Sequence, residues 1–138
     1  MSHVNEALYS GEAILLPRKG TLSNIMYVNE SFWTVDTMYY AVVNDKLADA
    51  FYLYSYLSQL DLSNLDSGST LPSMTKSAYE SIVVKLPDLK IQKAVATISV
   101  SYTHLRYSVI GWKEDFQLTY SDGLRIDTIA TDIKVTTI

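Results

Sequence analysis

The chain has 138 residues, a net charge of −4 and no cysteine. One domain is the natural count at this length, and 19% charged against 48% hydrophobic residues excludes a disordered chain. The missing cysteines exclude disulfide scaffolds and thiolate metal sites. No apolar run reaches membrane-spanning length and no signal-peptide pattern opens the chain, so the cytoplasm is the expected compartment, with no membrane partner.

Taken in order, residues 12–16 form a short apolar run that reads as a buried strand, and Pro17 bars the next ladder position. Arg18, Lys19, Gly20 and Thr21 follow as a tight basic turn. Gly20 can take positive φ, and small residues let a backbone or a phosphate approach closely. Alone, these four residues also describe an ordinary solvated hairpin turn. Residues 25–28, 32–35 and 37–43 read as three further strands, rich in aromatic and β-branched side chains, with 29–31 as a turn. Asp36 lies between the last two. A catalytic carboxylate needs a partner, so a bend residue bonding nearby backbone is its expected role.

Asn44 is the expected N-cap of a helix over 45–60. Leu47, Ala50, Phe51, Tyr54, Leu57 and Leu60 recur at spacings of three or four and mark its core face. A polar loop follows, with Ser67, Gly68, Ser69 and Thr70 before Pro72. Residues 77–80 have capping-box spacing, with Thr75 as an alternative cap. The almost wholly apolar 82–86 reads as an interior strand ended by Pro87, and 90–98 as a helix with Ile91, Ala94, Val95 and Ile98 on one face. Together these elements predict an α+β chain. A small, mixed but mainly antiparallel sheet carries two or three packed helices, and a β-rich tail follows.

Residues 11–98 resemble the later part of a target recognition domain from the specificity subunit of type I restriction-modification systems. The resemblance is carried by ILLPRKGT, YVNESFWTVDTMYY, YLYSYLSQLDL and SGSTLPSMTKSAYESIVVKLPDL in family order, with Gln92 opening the next helix. It implies a fold like that of DNA methylase specificity domains, and double-stranded DNA as the partner. It also implies a non-catalytic role beside separate modification and restriction subunits, no cofactor, and a final helix leading into a spacer helix.

The candidate DNA-binding residues are then Arg18, Lys19, Gly20, Thr21, Ser67, Gly68, Ser69, Thr70 and Lys76. The cations neutralise phosphates, and the turns offer hydroxyls and backbone N–H groups. Asn24, Asn64 and Gln59 are available for base reading, which needs amides or guanidinium groups in a groove; none is assigned to a base. Since no block of the sequence is strongly basic, binding would depend on a few placed cations or on a basic partner.

The chain departs from the family at both ends. The first part of a recognition domain is expected to be missing before residue 1. The partial domain is assigned to 1–98. Residues 99–138 form an unrecognised tail, a real appendage or a chimeric or frame-shifted end, the second being favoured because the break interrupts an amphipathic helix. In that tail 102–112, 116–120 and 124–138 read as β-rich, with a turn at 121–123.

An enzyme finds no support. His3 and His104 have no ligand partner at helical spacing, and no Walker loop, GxSxG or GxGxxG is present. The remaining alternative is a protein-interaction domain in which some of the 11 tyrosines form a contact surface.

Overall fold

The structure, a computed structural model, describes residues 6–68, 70–103, 124–125 and 130–135. His3, His104, Ser69 and the runs expected at 116–120 and 121–123 lie outside these residues.

Strand β1 (Tyr9–Pro17) is interior to a four-stranded sheet. Ala13 to Pro17 are buried without alternation, as befits a strand covered on both faces. Strand β2 (Met26–Phe32) pairs with it antiparallel from Tyr9↔Phe32 to Leu15↔Met26. The turn expected at 29–31 is therefore the middle of a strand. Asn29, Glu30 and Ser31 are exposed, and β2 is the outermost strand in the sheet order. Polar residues suit such an edge and hide the strand from a hydrophobicity reading. Conversely, the strand expected at 32–35 is a connection in which Trp33 and Val35 are exposed.

Strand β3 (Met38–Val43) pairs with β1 on the opposite side, from Ile14↔Ala41 to Pro17↔Met38. One later strand completes this order, and two others form a separate two-stranded sheet. Strand β4 (Val83–Val84) pairs with β5 (Leu124–Arg125), and β6 (Ala130–Val135) pairs antiparallel with β3, with a register shift between Val42 and Val43. The chain is thus α+β, and every strand pair described is antiparallel.

Helix α1 (Ala50–Leu57) starts five residues after the expected position. Its cap is Asp49, whose carboxylate accepts from the Tyr52 N–H at 2.9 Å. Asn44 instead closes a separate turn, accepting from Lys46 N–H through its side chain and from Leu47 and Ala48 through its carbonyl. Both residues are good caps, and local pattern cannot choose between them. Ala50, Leu53 and Leu57 face the core. Phe51 and Tyr54 pack with Tyr27 of β2 at ring separations of 5.2 and 6.0 Å. Helix α2 (Lys76–Glu80) is capped by Thr75, the alternative cap, through Ala78 N–H at 3.1 Å. Of the expected strand 82–86 only β4 is ladder, and Val83 and Lys85 are exposed while Ile82, Val84 and Leu86 are buried.

Helix α3 (Leu89–Thr103) runs past residue 98, so 102–103 are helical and not extended. Its last turns are Thr, Ser, Val and Tyr, residues of modest helix propensity, which is why the pattern read as a break. Thr97 Oγ1 donates back to the Lys93 carbonyl at 2.9 Å and keeps its hydroxyl satisfied inside the helix.

The core joins Ile14, Leu16, Tyr39 and Ala41 of the sheet to Leu53, Leu57, Met74, Tyr79, Val84 and Leu86. Tyrosine supplies much of it. Tyr39, Tyr40 and Tyr79 are buried, and no tyrosine among the residues of described exposure lies on the open surface. Tyr9, Tyr27, Tyr52, Tyr54 and Tyr56 are half-buried.

Gln92 is the polar residue on which the packing of α3 turns. It is 1% exposed. Its side-chain oxygen accepts from Asp49 N–H at 3.0 Å, and its Nε2 donates to the Pro87 carbonyl at 2.8 Å and to Leu47 O at 3.5 Å. One amide therefore ties the start of α3 to the start of α1. Gln92→Met keeps the length but leaves the part-buried Asp49 N–H and the buried Pro87 carbonyl without this partner. Such groups cost about 1–3 kcal/mol each. Urea unfolding is expected to show a loss of at least about 2 kcal/mol, and an unchanged midpoint would remove Gln92 from this role.

Candidate nucleic-acid interface

The basic turn begins where β1 leaves the sheet. Pro17 has no N–H to donate, but its carbonyl accepts from the Tyr79 hydroxyl at 2.6 Å, across 62 positions of sequence. Burial pushes the Tyr79 phenol well above its usual range, with a smaller contribution from Tyr39. The group stays a neutral donor at any ordinary pH. Tyr39 packs edge-on against the same ring at 6.0 Å, and its hydroxyl donates to the Met74 carbonyl at 3.4 Å. Two buried tyrosines thus hold the exits of both candidate segments.

Beyond Pro17 the backbone makes a second short ladder. Gly20 N–H donates to Pro72 O and Met74 N–H to Arg18 O, each at 2.9 Å, with Lys19 opposite Ser73 as an antiparallel bridge. On the other side Arg18 and Lys19 N–H both reach Thr37 O, at 2.8 and 3.3 Å. The order across the surface is therefore 35–37, then 18–20, then 72–74. The basic turn and the polar loop, singled out separately in the sequence, lie side by side.

Gly20 sits at φ +90°, and a Cβ there would have nothing within 4 Å of it, so conformation and not crowding requires the glycine. Gly68 is the reverse case. A Cβ there would lie 1.8 Å from the Leu71 carbonyl oxygen, and that close approach folds the loop back on itself. Asp66, which stands outside the motifs read from the sequence, completes the fold. Its Oδ1 accepts from Gly68 N–H at 2.8 Å and from Ser73 N–H at 2.7 Å. Its sequence signal is an Asp followed by Ser-Gly, an Asx-turn signature. Ser67 adds its own N–H and hydroxyl to the Ser73 carbonyl, at 2.9 and 3.1 Å.

These bonds correct one expectation. The N–H groups of Arg18, Lys19, Gly20, Ser67 and Gly68 all donate within the protein, so they do not form an open cradle for an anion. What faces solvent is side chains. Lys19, Thr21, Ser67, Thr70 and Lys76 are exposed, and Arg18, Gly20 and Gly68 are partly buried. Arg18 Nη1 donates to the backbone carbonyl of Asp36 at 3.1 Å, which orients the guanidinium and leaves its other N–H groups for a ligand. Lys76 pairs with Glu80 at 3.6 Å across one turn of α2, both partly exposed, a contact weak enough to exchange for a phosphate. Gln59 bonds back to the Ser55 carbonyl in its own helix. Ser69 lies outside the described residues.

Beside the turn lies an open cleft of about 410 Å³ between Thr21–Ser23, Leu60–Ser63, Asp66 and Pro72. Asp61 and Asp66 make its lining acidic. Each carboxylate is held below its usual range, Asp61 by hydrogen bonds from Ser63 and Asp66 by the N–H groups of Ser73 and then Gly68. The candidate surface sets a few cations against fixed negative charge.

Residues 1–104 match the family described as the type I restriction modification DNA specificity domain. The match spans well over half of the chain, and the chain belongs to this family. No curated protein matches it.

The Asp66 clamp has a measurable signature. Its lowered pKa means that the stabilisation is fully present above the ordinary carboxylate value, near 3.9, and is lost as pH falls through the lower value of the folded chain. The amide protons of Gly68 and Ser73 should titrate together by NMR, with one midpoint below about 3.9 and an upfield shift on acidification. Separate midpoints for the two amides would break the shared clamp.

Proposed function

We propose that this chain is a sequence-specific reader of double-stranded DNA within a type I restriction-modification specificity subunit. It is non-catalytic, acts in the cytoplasm, and directs the modification and restriction subunits to a target. The observation that carries the reading is the joined ledge. Arg18, Lys19 and Thr21 stand beside Ser67, Thr70 and Lys76, held by the backbone pairing of 18–20 with 72–74. In family order these are the segments that the resemblance marks as facing DNA, and the family match covers both.

The chemistry is phosphate contact by side chains. Lys19 projects from a backbone fixed on both sides, so it loses less freedom on binding than a lysine on a loose loop. Arg18 is already oriented by Asp36 O. With a net charge of −4 and two carboxylates in the adjoining cleft, the chain has little long-range attraction for a polyanion. A partner that encloses the duplex supplies the rest, which fits association with modification subunits.

Helix α3 has a place in the same reading. Ile98 and Val100 are about half exposed, and by the resemblance α3 is the helix that leads into the spacer. An apolar helix surface of this kind suits packing against a second spacer helix.

Salt dependence tests the phosphate contacts in the assembled complex. Replacing Lys19 by Ala is expected to lower affinity for target and unrelated duplexes alike. It should also reduce the slope of log K against log salt by about one unit, as loss of one phosphate contact requires. A complex with an unchanged slope in both Lys19→Ala and Arg18→Ala has its phosphate contacts elsewhere.

A further inference from the structure

The ledge carries one large apolar side chain that phosphate binding does not explain. Leu71 is 68% exposed, the most open of the large hydrophobic residues described. A lone exposed leucine on a loose loop would mean little. This one is held from both directions. Its carbonyl packs against Gly68, Asp66 bridges Gly68 and Ser73, and the next residue, Pro72, accepts from Gly20 N–H. Pro72 also disfavours a helical backbone at Leu71. The fold thus fixes the backbone of a side chain that contributes nothing to the core.

We propose that Leu71 is a specificity-determining residue whose side chain packs on the C5-methyl group of a thymine in the major groove. The inference rests on the DNA-recognition reading above and names what one position reads. Its surroundings favour this occupant. Lys19 lies opposite Ser73, two positions along the loop, and Thr70 precedes Leu71, so cationic and hydroxyl groups suited to phosphate flank the apolar one. Phosphate contacts set the register of a protein on a duplex, and base edges are read from within that frame. The thymine methyl is the one apolar feature of the major-groove code, and aliphatic side chains are its complement. The N–H groups of Ser67, Gly68 and Ser73 are already engaged, while Thr70 and Leu71 are exposed between them.

The test is a double-mutant cycle on the assembled complex. The target is mapped by sequencing DNA methylated by the specificity and modification subunits. Binding is then measured on target duplexes in which single thymines are replaced by deoxyuridine, for the wild type and for Leu71→Ala. One replacement should weaken the wild type about fourfold, the worth of one buried methyl group. The same replacement should leave Leu71→Ala indifferent. Lys19→Ala is the control: it weakens every duplex and keeps the deoxyuridine effect.

Additive effects at every thymine, or a half-site without thymine, overturn the assignment of Leu71 while leaving DNA recognition standing. A wild-type complex that does not discriminate its target from unrelated DNA overturns the recognition reading itself. Leu71 makes no core contact, so circular dichroism of Leu71→Ala should match the wild type, and binding changes then report the interface.

Discussion

The pairing of Arg18–Gly20 with Pro72–Met74 is the constraint on which the candidate interface depends. Neither segment is long enough to be a strand of the main sheet. Each is fixed because its exit from the core is fixed, β1 by the Tyr79 hydroxyl on Pro17 and the loop by the Tyr39 hydroxyl on Met74. A short ladder of two backbone bonds would open readily in isolation, since each such bond contributes only about 1 kcal/mol net. Anchored at both ends by buried aromatic rings, it opens only if the core moves. The precision of the surface is thus borrowed from the interior, the usual arrangement when binding groups sit on loops.

Charge and geometry divide the labour on this surface. The cations are few, and fixed carboxylates stand close by at Asp61 and Asp66. Asp66 has a structural reason to stand beside the cations. Its Oδ1 already accepts two backbone N–H bonds, and those bonds define the loop. Attraction for anions is given up here for the shape of the loop.

The sequence was informative where local chemistry and tertiary context agreed. The α+β class, β3 and the neighbourhoods of both candidate turns were legible from periodicity, turn residues and the ordered family motifs, and the stripe of α1 in part: Ala50 and Leu57 are buried, but so is Leu53 outside the stripe, and Phe51 and Tyr54 are half-buried. Legibility failed where an element served the sheet edge or the helix end. Asn29–Ser31 look like a turn because an edge strand can be polar, and Thr97–Thr103 look like a break because tertiary structure sustains a helix of weak formers. Asp49 and Asn44 are equivalent caps by composition, and the Asp49 N–H bond to Gln92, 43 positions away, favours the former. The engagement of the N–H groups around Gly20 and Gly68 was invisible for the same reason. The acceptors of the basic turn lie in other segments, Thr37 and Pro72, whereas that of Gly68 is Asp66, two residues away.

The Gly68–Leu71 approach has a consequence for how such a surface can change. The loop's shape is set by backbone atoms and by Asp66, Gly68 and Ser73, while Thr70 and Leu71 point outward without supporting it. Frame and content are separable there. Substitutions at 70 and 71 alter what the ledge presents at little cost in folding, as surface changes generally do, whereas a side chain at 68 collides with the frame itself. The loop behaves as a socket with exchangeable tips, and what it presents to solvent can change without rebuilding the domain.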